Sequence, residues 1–298
     1  MTDLLGVMEA WDGGHTVVRA QDGARTTIPL ADIVSGKPVP PRGSVRMRVS
    51  AEQACRLSNA SWPPIHVEPL GEWLLRASGG FSARANSAMA TGDQGVPLRQ
   101  AVARVREFYA RHGLPAWAQV VVGSGMDEQM QDGGWQLARP GEADSLLQLA
   151  LVAQAARAVR RVLPAERPQV RLSDRVDEAW LANDDRARAH HDEAVAVLDG
   201  PAEVGFVSLV EEGAVVAKGR IAGEGDWAGI TDVWVSPDHR RRGLAVVVMS
   251  ELLEWAAERG AATAYLQVRG DNPPALALYD RLGFRTHHAY RYLALRDD

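Results

Sequence analysis

The chain has 298 residues, of which 46% are hydrophobic and 24% charged, and its formal net charge is -5. That length fits about two domains, and the composition is globular rather than disordered or fibrous. The charge excludes nucleic-acid binding by bulk basicity, the single cysteine Cys55 excludes an internal disulfide and points to a reducing cytosol, and the longest weakly charged stretch, residues 145–156, is too short to cross a membrane.

The N-terminal MTDLLGVMEAWDGG has no basic start and no long apolar run, so no signal peptide is expected. HTVVRA and TTIPL are β-type runs with QDGA as a hairpin turn between them, and SGKPVPPRGS closes the segment. Residues 1–50 are therefore expected to form a small β-barrel or sheet. From 51 to 140 the pattern changes. SAEQACRLSNAS predicts a helix, EWLLRAS and FSARANSAMA predict strands, and VPLRQAVARVREFYARHG is an amphipathic helix ending at Gly113. AWAQVVV reads as a buried strand and MDEQMQDGGW as a short helix. Residues 141–165 are Ala/Leu-rich and predict a linker helix.

Residues 166–298 form the clearest unit. VRLSDR is a strand and DEAWLANDDRARAHHDEAVAVLDG is helical. VGFVSLVEEGAVVAKGRIAG is a hairpin, and GITDVWVSP is a strand ended by Pro237. LAVVVMSELLEWAAERG, TAYLQV and NPPALALYDRLGF then predict helix, strand and helix. Two segments repeat the same order of helix, Gly, strand, short helix and Gly-aromatic: Gly113 to Gly134 spans 21 residues and Gly260 to Gly283 spans 23. Duplication of a half-domain explains this, and chance likeness of two βα units is the alternative.

Between the strand ending at Pro237 and the helix starting near Leu244 lies DHRRRG. Arginine is a poor core residue and glycine a poor helix former. A helix N-terminus leaves N–H groups unpaired and carries partial positive charge, which makes an anion site. Gly243 lets an anion approach the backbone, Ala245 keeps the next position small, and Arg240, Arg241 and Arg242 add charge.

RRRGLA after a strand resembles the R/Q-x-x-G-x-G/A turn of the GNAT superfamily of N-acetyltransferases. Asn272-Pro273-Pro274-Ala275, Leu278-Tyr279 and Gly283-Phe284 resemble that family's N-x-x-A…L-Y-x-x-x-G-F element. The resemblance covers residues 166–298. Residues 51–140 resemble the family only through the second βα unit, because ATGDQGVPL lacks the arginine and the spaced glycine. The whole is similar to an actinobacterial group with an N-terminal β-barrel, some members of which are named histone-type acetyltransferases. The implied fold class is mixed α+β and α/β: a small barrel (1–50), a degenerate GNAT-like lobe (51–140), a linker helix (141–165) and a catalytic GNAT domain (166–298) with a mixed central sheet flanked by helices.

The resemblance implies acetyl-CoA as co-substrate and no metal. Its pyrophosphate is expected on the N–H groups of Arg241, Arg242, Gly243, Leu244, Ala245 and Val246. Its pantetheine is expected to pair with the main chain of Val233, Trp234 and Val235, and Asn272 to order the adjoining loop and touch it. The implied reaction is direct attack of a primary amine, on a protein or a small molecule, with Tyr279 protonating the leaving thiolate. The Val235 N–H is expected to meet the oxyanion. An alkylamine with a pKa of ~10.4 must lose a proton first. Some relatives use a Glu five residues before the motif asparagine, where this chain has Gln267, so Asp232 is the expected base, directly or through water. Binding of acetyl-CoA without turnover, as a sensor, is the alternative function.

The remaining expectations concern surroundings. His287 and His288 are expected to point apart and His190 to face the substrate. Trp227 is expected in hydrophobic packing. Asp184, Asp185, Arg186, Glu211 and Glu212 are expected to be solvated. The partner is an amine acceptor, small or a basic protein. Neither nucleic acid nor membrane is expected.

Overall fold

The structure is a computed structural model that describes residues 4, 6–20, 24–33 and 49–295. It comprises two compact units divided between residues 44 and 45.

In the first unit β1 (Gly6–Asp12), β2 (His15–Ala20) and β3 (Arg25–Pro29) form an antiparallel sheet in that order. Gly13 and Gly14 turn the β1–β2 hairpin with φ of +60° and +83°, values that only glycine adopts freely. Glu9 binds Arg19 and Arg25 at 2.6 and 2.9 Å. The expected barrel is not formed by the described residues: three strands leave two sheet edges, and closure requires every edge to pair. The QDGA turn (residues 21–24, of which 21–23) and SGKPVPPRGS lie outside the described residues.

The second unit begins with α1 (Ala51–Ala60), which starts in a capping box between Ser50 and Gln53. β4 (His66–Leu70), β5 (Trp73–Ala77) and the two-residue β6 (Ala88–Met89) follow, then α2 (Leu98–Arg111), β7 (Trp117–Val121), α3 (Gly125–Asp132) and β8 (Trp135–Leu137). Next come β9 (Ser145–Leu151) and α4 (Val152–Arg160). The second half contains β10 (Gln169–Ser173), the short helices α5 (Glu178–Leu181), α6 (Asp185–Ala189) and α7 (His191–Leu198), and the hairpin β11 (Glu203–Glu211) and β12 (Ala214–Glu224). It ends with β13 (Trp227–Val235), α8 (Leu244–Glu258), β14 (Thr263–Arg269), α9 (Pro273–Arg281) and β15 (Arg285–Leu295).

All these strands join one mixed sheet in the order β10-β11-β12-β13-β14-β9-β15-β7-β6-β5-β4, with β8 against β15. The repeat is present as two lobes. β6 runs parallel to β7 as β13 runs parallel to β14, and α2 follows β6 as α8 follows β13. The lobes also exchange strands. β9, which closes the first lobe in sequence, pairs along β14 of the second, and β15 pairs with β9 and with β7 of the first.

Two sequence readings are corrected here. Residues 145–151 are a strand, not part of a linker helix: Leu147, Gln148, Leu149 and Ala150 are all at most 5% exposed. A strand buried on both faces is apolar throughout and reads like a buried helix. In FSARANSAMA only Ala88 and Met89 are strand; the preceding residues form a loop.

α8 supplies the largest core, burying nine residues including Val247, Val248, Met249, Leu252 and Leu253 against the sheet and α4. A helix apolar nearly all round is one that is buried nearly all round. No helix of the described residues is long and apolar enough to cross a membrane.

His287 and His288 do not point apart. The register of β15 shifts between Thr286 and His288, a bulge that brings the two Nδ1 atoms within 2.9 Å. Val49 O accepts from His287 Nε2 at 2.8 Å, so the neutral His287 accepts on Nδ1, His288 donates from Nδ1, and His288 Nε2 accepts from Cys55 Sγ at 3.4 Å. Burial pushes the Cys55 thiol up to about 12 and the His288 imidazole down to about 4, so each protonation state matches its place in this chain.

Candidate active site

The site is organised by a bulge in β13. β12 and β13 pair at Arg220–Thr231 and next at Lys218–Trp234, so Gly219 alone faces both Asp232 and Val233. Asp232 takes a φ of +53°, a conformation uncommon outside glycine. A Cβ on Gly219 would lie 2.5 Å from Val248 Cγ1, so the missing side chain lets α8 sit close beneath the bulge. Val233 and Val235 pack toward α8, while Trp234 faces Lys218 on the other side.

The parallel pairing of β13 with β14 stops at Ile230–Leu266, immediately before the bulge. Beyond that point the strands part, leaving the inner edge of β13 unpaired. Ser236 N–H donates to Val216 O of β12 at 2.9 Å. N–H directions alternate along a strand, so the Val235 N–H points into the gap.

Past Val235, Pro237–His239 makes one 3-10 turn, and Gly243 caps α8 with a left-handed φ of +79°. Arg241 is also left-handed, at +61°. Such alternation turns successive N–H groups toward one point. Among the described residues the N–H groups of Arg241, Arg242, Gly243, Leu244 and Ala245 have no hydrogen-bond partner, whereas that of Val246 is taken by Gly243 O at 2.9 Å. With the dipole of a 15-residue helix behind it, this turn fits a multiply charged anion. Arg240 and Arg241 are exposed with no ion pair among the described residues. Arg242 is different: Glu211 holds its guanidinium bidentately at 2.7 and 2.9 Å, leaving its backbone N–H for the turn. Glu211 is thus not simply solvated; it ends β11 beside the turn and fixes this arginine.

Tyr279 lies on α9, 8% exposed, with its ring edge against Phe284 at 5.9 Å. No described residue hydrogen-bonds its hydroxyl. Burial first, then the charge of Asp232, push its phenol up to about 12, so it holds its proton throughout neutral pH. Asn272 caps α9 by accepting from the Ala275 N–H at 3.3 Å. Asp232 Oδ1 accepts from Arg186 Nη2 at 3.1 Å, and its Oδ2 is buried without a partner. Gln267 donates to Ser58 Oγ at 3.4 Å while its Oε1 is also buried and unpartnered.

Asp232 and Gln267 border a cavity of about 600 Å³. His190 lines it too, as does Arg186. Of the expected solvated face, Asp185 and Arg186 are exposed but Asp184 is not: it caps α6, accepting from the Arg186 and Ala187 N–H groups, and the Arg186 side chain bridges it to Asp232. Trp227 is 5% exposed and packs on Tyr265 in a separate core. The first lobe contributes a wall that sequence reasoning did not find: Trp62 and a loop bearing Phe81, Ser82 and Arg84. Asn86 pins this loop, accepting from the Ser78 and Gly80 N–H groups at 2.7 and 3.0 Å and donating to Ser82 O at 2.8 Å. The Gly79-Gly80 pair and Asn86, in a stretch otherwise read as strand, are the signal that was available.

An amide-lined turn at the head of α8, beyond a strand whose inner edge is free, fits the turn and the strand that the GNAT resemblance marks, and the molecule is a GNAT-type N-acetyltransferase. Its fold is similar to that of a GCN5-related N-acetyltransferase from Kribbella flavida, with a TM-score of 0.58 over 83% of this chain and 96% of that one at 18% identity. The family model described as "Probable histone acetyltransferase Rv0428c C-terminal" matches residues 50–293, and the chain belongs to that family. It is 29% identical to the probable histone acetyltransferase Rv0428c of Mycobacterium tuberculosis, over 98% of this chain and 89% of that protein. It is 25% identical to the N-acetyltransferase YobR of Bacillus subtilis, over 79% of this chain and 96% of that protein.

Proposed function

We propose that the protein transfers an acetyl group from acetyl-CoA to a primary amine held in the cavity beside Asp232. The observation that carries this reading is the run of unpartnered N–H groups at the head of α8, continuous with the unpaired edge of β13. The pyrophosphate would rest on the N–H groups of Arg241 to Ala245, with the side chains of Arg240 and Arg241 near its peripheral phosphate. The pantetheine arm would pair with the main chain of Val233, Trp234 and Val235.

In the reaction the amine nitrogen attacks the thioester carbonyl. A C–N bond forms, the C–S bond breaks, the sulfur takes a proton from Tyr279, and the surplus amine proton passes to Asp232 or a water beside it. The Val235 N–H faces the gap where the carbonyl oxygen gains charge. The unpartnered Asp232 Oδ2 supports its part, because an ammonium or amine N–H is what such an oxygen lacks. Gln267, which cannot titrate, is left to accept a hydrogen bond from the amine.

Calorimetric titration with acetyl-CoA, together with thiol release over a panel of amines and basic proteins, tests this. Saturable binding with acceptor-dependent release of CoA is expected. Absence of acetyl-CoA binding would overturn the reading of the turn.

A further inference from the structure

One of the cationic side chains around the cavity is left without a counter-charge. Four arginines line it, Arg84, Arg139, Arg186 and Arg269, against two aspartates, Asp185 and Asp232. Three of the four are compensated: Arg186 by Asp184 and Asp232, Arg269 by Asp271 and Glu142, and Arg139 by Glu142 at 3.6 Å. Arg84 has no carboxylate partner among the described residues. Its guanidinium stacks over Trp62 at 4.8 Å, and its Nε and Nη1 are buried with no hydrogen-bond acceptor.

This arrangement is built rather than accidental. Trp62 is itself stacked on Phe81, ring centroids 5.9 Å apart, and donates to Ser82 Oγ at 3.0 Å. Asn86 locks the loop on one side of Arg84, and the buried Arg76 binds Ser87 O at 2.9 Å just after it. Buried guanidinium N–H groups without acceptors are costly, and Arg donors match a carboxylate or phosphate. The same cavity therefore presents unpartnered donors on the first-lobe loop and unpartnered acceptors, Asp232 Oδ2 and Gln267 Oε1, beside the point of transfer.

We propose that the acceptor is a small amine carrying its own anionic group, a carboxylate or phosphate, which Arg84 binds while Asp232 and Gln267 hold the amine. The proposal rests on the acyl-transfer reading of this site. A volume of about 600 Å³ suits a molecule of amino-acid to small-peptide size. A polycationic segment entering it would meet the uncompensated guanidinium of Arg84 and leave its buried donors without an acceptor.

Matched acceptors test it: L-phenylalanine against phenethylamine, phosphoethanolamine against ethanolamine, and a lysine-rich peptide. Each is assayed by acceptor-dependent CoA release and by calorimetry on the CoA-loaded protein. In at least one pair the anionic amine should exceed its neutral counterpart by about 10-fold or more in kcat/KM. Arg84→Gln should bring that ratio near one, chiefly through KM, with acetyl-CoA affinity retained, and Arg84→Lys should restore part of the preference and guards against misfolding of the first variant. Equal or better use of neutral amines or of the lysine-rich peptide overturns the proposal, as does a preference that survives Arg84→Gln. Release from cationic acceptors alone would sink this inference and leave acyl transfer standing. Failure of acetyl-CoA to bind would instead strike the underlying reading. The calorimetric arm needs no turnover: if neither L-phenylalanine nor phosphoethanolamine binds, the proposal fails.

Discussion

Tyr279 and Asp232 are proposed to have opposite proton duties, and the surroundings of Tyr279 suit its part. The phenol is buried, has no described hydrogen-bond partner, and is raised further by the Asp232 charge, so it keeps its proton at neutral pH, as the proposed thiolate donor must. Tyr279→Phe should lower kcat by about 100-fold, within the range for loss of a general acid, and leave acetyl-CoA affinity nearly unchanged. Turnover at the wild-type rate would remove Tyr279 from the chemistry. Away from the site, His288 has a folded value near 4 against an ordinary 6.5, depressed by burial and then by His287. Between those values the unfolded chain binds the extra proton, so stability is intact above about pH 6.5 and declines as the pH falls toward 4. Urea midpoints measured from pH 7.5 down to 4.5 should show that decline, and His288→Gln should flatten it. An unchanged slope in that variant would assign the loss to other groups.

The turn before α8 works through its backbone, which makes it sensitive to one glycine. A Cβ at Gly243 would sit 3.3 Å from Pro164 Cγ, and the residue has a φ of +79°, where side chains cost roughly 1–2 kcal/mol. Gly243→Glu adds a carboxylate at the anion seat and should weaken acetyl-CoA binding by about 100-fold or more, measured by calorimetry. Undiminished affinity would mean that the pyrophosphate binds elsewhere. The loop between β5 and β6 depends likewise on Asn86, 6% exposed, whose side chain satisfies the buried N–H of Ser78 and the N–H of the exposed Gly80. Asn86→Ala should destabilise the protein by about 1–3 kcal/mol in denaturant titrations, chiefly through the stranded buried N–H of Ser78. It should also raise the acceptor KM more than the acetyl-CoA KM, because the loop borders the cavity and not the turn.

Strand exchange makes the two lobes one folding unit. Without β9, β14 loses its antiparallel partner over residues 263–269, and without β7, β8 and β9, β15 loses all three of its partners. Residues 166–298, which the sequence motifs mark as the catalytic domain, should therefore not fold when expressed alone. Gel filtration and amide NMR of that fragment should show aggregation or collapse without dispersion; a dispersed spectrum with retained acetyl-CoA binding would contradict this. The arrangement also gives the degenerate lobe a purpose. It lacks the arginine and glycine of an anion-binding turn, but it supplies Trp62, Phe81 and Arg84 to the cavity beside Asp232, where we propose the acceptor binds.

The glycine turn before α8, the helix cap at Asn272, the helix that carries Tyr279 and the duplicated βα pattern were legible in the chain because each depends on residues close together. A left-handed glycine before an apolar helix, or a polar cap before Pro-Pro, acts within one or two turns of backbone. Asp232 could be named as a carboxylate on the central strand, but not its bulge, which arises where Gly219 lets α8 press against the sheet. Nor could the sequence show that residues 145–151 enter the middle of the sheet, since LLQLAL is equally apolar as helix or strand. The acceptor cavity lay furthest from view. Arg186, Asp232 and Gln267 come from separate segments of the second lobe, and Arg84 reaches the same cavity from the first lobe, which shares one sheet with the second through exchanged strands.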